Sequence, residues 1–127
     1  MAQFLSPAWL EQLAAAARDT ADLPADAALT VQQVVRGGPE GEVAWYVELT
    51  GGRARLSRGW ADQAQVTIIE DYPTAVALGR GAISPATAFA SGRLRVGGQV
   101  GLLVRHQEAL AALHAAVAHV QRATTYP

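Results

Sequence analysis

Cysteine, lysine and asparagine are missing from all 127 residues, and aromatic side chains are scarce: three tryptophans, three tyrosines and two phenylalanines. Without cysteine there is no disulfide framework, no thiolate metal site and no cysteine nucleophile, so the fold does not need an oxidising compartment. Without lysine, the positive charge rests on ten arginines, set against eleven acids for a formal net charge of −1. That balance lacks the basic excess that draws in nucleic acid or an anionic surface, so no nucleic-acid partner is expected and membrane contact at most transient. No apolar run approaches the roughly 20 residues of a membrane-spanning helix. The opening Met1-Ala2-Gln3-Phe4-Leu5 has no basic n-region, and Thr125-Tyr126-Pro127 is no retention or peroxisomal address, so a cytoplasmic location is expected. The missing lysine and asparagine, beside abundant alanine, resemble the bias of a GC-rich bacterial genome.

Half of the residues are apolar, which at this length suits one domain over residues 1–127 and leaves no room for two. Ser6 before Pro7 reads as an N-cap with proline at the first helical position, opening a helix to about Asp19 that aligns Trp9, Leu10, Leu13 and Ala17. Residues 29–36 are rich in valine and threonine and read as a strand. After the Gly37-Gly38-Pro39-Glu40-Gly41 turn, Val43, Trp45, Val47 and Leu49 alternate with Ala44, Tyr46 and Glu48, the period of a half-buried strand. Thr50-Gly51-Gly52 then turns into a third strand, residues 53–57, completing an antiparallel meander. Residues 64–70 form a fourth strand. Asp71 and Ser84, followed closely by Pro73 and Pro85, cap two short helices, the first stopping at Gly79 or Gly81 and the second at Gly92. A short strand over residues 93–96 leads to a long amphipathic helix from about Gln99 to Arg122. The order αββββααβα predicts an α+β domain, a mostly antiparallel sheet with helices on one face.

Candidate chemistry is thin. His106, His114 and His119 are eight and five residues apart, whereas two rings on one helix reach a common ion at a spacing of three or four. Metal binding is not expected. Gly97-Gly98-Gln99-Val100-Gly101 joins a strand to a helix, where backbone N–H groups can cradle phosphate. It is neither a dinucleotide fingerprint nor a P-loop, and tight passage of the backbone explains it better. Glu70-Asp71 sits at a strand end before a cap, and Glu11, Glu40, Glu42 and Glu108 lie on solvated faces. No serine occupies a nucleophile elbow. Composition and spacing favour a binding module over an enzyme, without a cofactor.

The stretch from Asp71 to Gly98 closely resembles the sterol carrier protein 2 family. Its strand and short helix lead to a glycine, then a proline-started helix with the pair Ala88-Phe89, then Gly92-x-Leu94-x-Val96-x-Gly98 and a final helix. Upstream elements agree in order and length, so the resemblance spans roughly residues 5–115, with the last helix extended to about 122. It implies a five-stranded, mostly antiparallel sheet covered by helices, with an apolar tunnel for fatty acids, acyl-CoA, sterols or phospholipids. Gln99 stands where the family often has an acid, and a few arginines replace its lysine-rich surface.

A lipid held by burial needs apolar walls of mixed size, which Trp9, Trp45, Trp60 and Phe89 offer beside many alanines. The expected lining is Trp9, Leu13, Val43, Trp45, Val47, Leu49, Phe89, Leu103 and His106. Phe89 is expected to meet the face of Trp45, and His106 to be the sole polar group, contacting a carboxylate or hydroxyl. Two other readings share this fold. One is a small enzyme or accessory protein using the pocket for a hydrophobic metabolite. The other is a dimerisation module. Positions 103, 106, 110, 113, 117 and 120 follow a heptad-like rhythm, so the last helix is expected either to lie across the tunnel mouth or to pair in a homodimer.

Overall fold

The computed structural model describes residues 2–20 and 23–126. Helix α1, Pro7–Arg18, starts where Ser6 Oγ accepts a hydrogen bond from the Trp9 N–H at 3.2 Å, and it buries Trp9, Leu10, Leu13, Ala16 and Ala17. Strands β1 (Leu29–Gly38), β2 (Gly41–Thr50) and β3 (Arg53–Arg58) form the meander that the alternating pattern predicts. The two-residue turn Gly51-Gly52 has φ of 58° and 79°. With both central residues left-handed the turn matches the twist of the flanking strands, a conformation that glycine adopts without strain.

Strand β4 (Val66–Asp71) lies parallel to β1, and β5 (Leu94–Gly98) runs antiparallel to β4, giving the order β3-β2-β1-β4-β5. The sheet is therefore mixed, with three antiparallel pairings and one parallel. Residues 59–65 carry the chain from the β3 edge past β2 and β1 without a helix. Gln32, 2% exposed, holds this crossing: its Nε2 donates to the Trp45 and Gly59 carbonyls at 3.0 Å each, and its Oε1 accepts from the Ala61 N–H at 2.8 Å. A buried amide with donors and acceptor occupied is stable; stripped of partners it would cost stability.

Helix α2, Tyr72–Gly79, is capped by Asp71, whose Oδ1 accepts from the Thr74 N–H at 2.9 Å, and α3, Pro85–Ala90, by Ser84 Oγ from the Thr87 N–H at 3.1 Å. The last helical stretch departs from expectation. It divides at His106 (φ −105°, ψ 22°) into α4, Gly101–Arg105, and α5, Gln107–Arg122. Leu102 and Leu103, with Leu110 and Leu113 of α5, lean on the cluster around Val31, Val47 and Val66, while Val117 and Val120, further along α5, join Trp9, Leu10 and Leu13 of α1. Of the heptad-like positions Val120 is buried, while 103, 106, 110, 113 and 117 are half-buried. Beyond α5, Thr124 Oγ1 accepts from Trp9 Nε1 at 2.9 Å and Thr125 pairs with Gln3. Among the described residues no helix is long and apolar enough to cross a membrane.

Candidate ligand-binding site

On β2, Trp45, Val47 and Leu49 are buried and Val43 half-buried on the face toward the helices, the orientation that the alternation predicts. The Trp9 and Trp45 rings meet edge to face, 5.7 Å apart at 82°, and Leu13 packs in the same cluster. Helix α1 rests on β3 and against α5, closing the sheet at its β3 side. Six expected lining residues thus lie on this side of the sheet, five of them buried as core: Trp9, Leu13 and Trp45 in one cluster, Val47 and Leu49 in a second.

Phe89 is not with them. It is 59% exposed on α3, which packs on β5, and β1 and β4 separate β5 from β2. Successive helical residues point about 100° apart, and in this short helix the inward position goes to Ala88, at 0% exposure. Trp60 is 57% exposed and borders a cleft of about 900 Å³ beside Leu5, Leu10 and Val43, so it adds no inner wall. His106 is half-buried at the helix bend and lines a second cleft of about 630 Å³. There it lies among Asp26, Gln65, Gln99, Arg105 and Glu108 rather than alone in an apolar wall. His114 and His119 are exposed.

The β4–β5 half of the sheet is covered differently. α2 and α3 pack there, α4 and α5 bring Leu102, Leu103, Leu110 and Leu113 over the second core cluster, and these four with Ile68 and Val96 are left half-buried. Of these the sequence reading placed only Leu103 in the lining. Gly98 holds the corner of this region. Its φ is +86°, and a Cβ there would collide with the Gln65 carbonyl. That same carbonyl accepts the Gln99 N–H at 2.8 Å, so the tight passage that the glycine run suggests is located at Gly98, while Gly97 and Gly101 have open space around them.

Glu70 was missed as a functional candidate. Its signal was available: Val66, Ile68 and Glu70 share one phase of the β4 alternation, which puts an acid in line with buried apolar residues. Glu70 pairs in register with Val35 on one side and Leu94 on the other. Its Oε2 is buried and has no hydrogen-bond partner among the described residues. Burial, aided by the negative charge of Asp71, pushes its carboxyl up to about 7. Asp71 goes the other way, held low by hydrogen bonds from Thr74, which also accepts from Arg93 Nε at 3.2 Å.

Residues 10–111 match the model of the SCP-2 sterol transfer family. The chain belongs to that family. Its membership assigns lipid or sterol binding and transfer as the class of function. Solved structures agree on the SCP-2 fold. A conserved hypothetical protein from Thermus thermophilus, described as possibly a sterol carrier protein, is 20% identical, with 94% of this chain and 91% of that one covered at a TM-score of 0.64. The palmitated sterol carrier protein 2-like 2 of Aedes aegypti is 16% identical over 84% of this chain and 94% of that one, at 0.63. The sterol carrier protein domain 2 of Helicoverpa armigera is 24% identical over 92% and 91%, at 0.63. No curated protein matches the chain in sequence.

Proposed function

We propose that this SCP-2 chain is a single lipid-binding domain that takes a fatty acid, acyl-CoA, sterol or phospholipid between its sheet and helices and passes it on without chemical turnover. The supporting observation is the uneven cover of the sheet: packed core under α1, but half-buried Ile68, Val96, Leu102, Leu103, Leu110 and Leu113 at β4–β5. Side chains of that kind can part to admit an apolar chain at less cost than a close-packed core. In this reading Val47, Leu49 and Leu103 back the ligand, Trp9, Leu13, Val43 and Trp45 form the rigid wall beyond, and His106 contacts a head group at the mouth. The exposed Phe89, Val100 and Val104 flank β5 and form an apolar rim, suited to brief contact with a donor membrane.

Enclosing roughly 300–400 Å² of apolar ligand surface, at about 25 cal/mol per Å², yields a gross gain of about 8–10 kcal/mol before association costs. Native mass spectrometry on protein purified from cells is expected to show co-purified lipid, displaced by a fluorescent fatty acid. A bare protein mass with no binding of the fluorescent acid overturns the proposal.

A further inference from the structure

We propose that Glu70 is the interior polar anchor of the lipid site, giving and accepting hydrogen bonds with an uncharged oxygen group of the ligand, such as an alcohol. This rests on the reading of an apolar site at β4–β5 and goes further by naming the ligand chemistry that the site prefers. Glu70 occupies the helix-facing side of the sheet, in phase with Val66 and Ile68 and between Val35 and Leu94. Its neighbours across the sheet are apolar, and its Oε2 is sealed from solvent with no partner among the described residues. A buried acceptor without a partner is costly, and a ligand oxygen at that point would remove the cost.

The charge around Glu70 selects against anions. β1 presents Val35 in register with it, while Arg36 is ion-paired with Glu42 at the surface, 3.2 Å away. β5 presents Leu94, and Arg93 at its head bonds Thr74 and acts on Asp71. On α2 the titratable groups are Tyr72 and, at the C-cap, Arg80, whose guanidinium lies 5.8 Å from the centre of the Tyr126 ring; Tyr126 packs in the cluster that holds Val35, and α3 has no titratable group. Asp71, held ionised, adds negative charge beside Glu70. A ligand carboxylate would meet this charge, and among the described residues no cation figures in the forces acting on Glu70, whereas an alcohol meets a protonated carboxyl that can donate as well as accept. Covering Glu70 with ligand also removes what water it touches, which favours the protonated form further. Affinity for an uncharged ligand must then fall once the pH passes the point where free Glu70 ionises.

The test is displacement of diphenylhexatriene by dodecanol, dodecane and dodecanoate at pH 6 and pH 8.5, in the parent, Glu70→Gln and Glu70→Leu. The parent should bind dodecanol about three- to tenfold more weakly at pH 8.5 than at pH 6. Glu70→Gln should bind it equally at both. Glu70→Leu, which restores an apolar wall, should keep diphenylhexatriene and lose the preference for dodecanol over dodecane. Identical pH profiles in the parent and Glu70→Gln, or a parent that prefers dodecanoate at pH 8.5, overturn the anchor while leaving the lipid site standing. Failure of every probe to bind the parent overturns the lipid site and the anchor together.

Discussion

Trp45 and Phe89 are both aromatic, yet their surroundings set opposite weights on them. Trp45 is 9% exposed against the Trp9 ring, so Trp45→Ala should cost about 3–5 kcal/mol in urea unfolding. Phe89→Ala, at a 59% exposed position, should stay within about 0.5 kcal/mol. If Phe89 lies on the rim, the variant should still slow lipid uptake from vesicles. Glu70 sets a pH dependence of opposite sign to that of an ion-paired carboxylate. Folded, it holds its proton up to a pH of about 7, against an ordinary value of 4.5, so the folded state is the better proton binder between those limits. Its contribution is complete below pH 4.5 and is lost as the pH rises through 7. Allowing for the solvent that still reaches it, the loss is on the order of 2 kcal/mol. Urea midpoints at pH 5 and pH 8 should differ in the parent and converge in Glu70→Gln.

At the scale of elements, what the sequence made legible is what a few neighbouring residues decide. Ser6, Asp71 and Ser84 each cap a helix within three residues of a proline, and each bond is present. The meander follows from period-two alternation and two glycine turns. The bend at His106 was not legible, because positions 103–120 carry an unbroken apolar rhythm that spans two core clusters, Leu110 and Leu113 sharing one with α4 while Val117 and Val120 join α1 in the other. The site was read in part for the same reason. Alternation oriented β2 correctly, but successive residues of a helix point about 100° apart, so Ala88 and Phe89 cannot both face β5, and which of them does is set by how α3 packs there. The passage at Gly98 offers a sharp check. Gly98→Ala adds a methyl against the Gln65 carbonyl at a backbone conformation that alanine resists, and should cost more than about 2 kcal/mol in thermal or urea unfolding. Gly97→Ala, with open space around it, should cost well under half of that.

For the whole molecule, the feature least visible in the sequence is the parallel partnership of β1 and β4, since nothing local says that residues 59–65 cross two strands. Gln32 secures that crossing from beneath. Gln32→Leu leaves the Trp45 and Gly59 carbonyls and the Ala61 N–H without their partner, and should cost about 2–4 kcal/mol, measured by urea unfolding. Light scattering on the full chain reads whether α5, covered on its apolar side by α1, also joins two copies.

The order in which the strands are made has a consequence for synthesis. The first three fold on one another as soon as they emerge, but the central strand then shows a bare edge until β4 arrives from across the sheet. An open edge is a template for strangers. In the interval after residue 58 has cleared the ribosome and before residue 71 has, the chain presents a three-stranded sheet with the outer edge of β1 open, and a chaperone that covers this edge would keep other strands from pairing there.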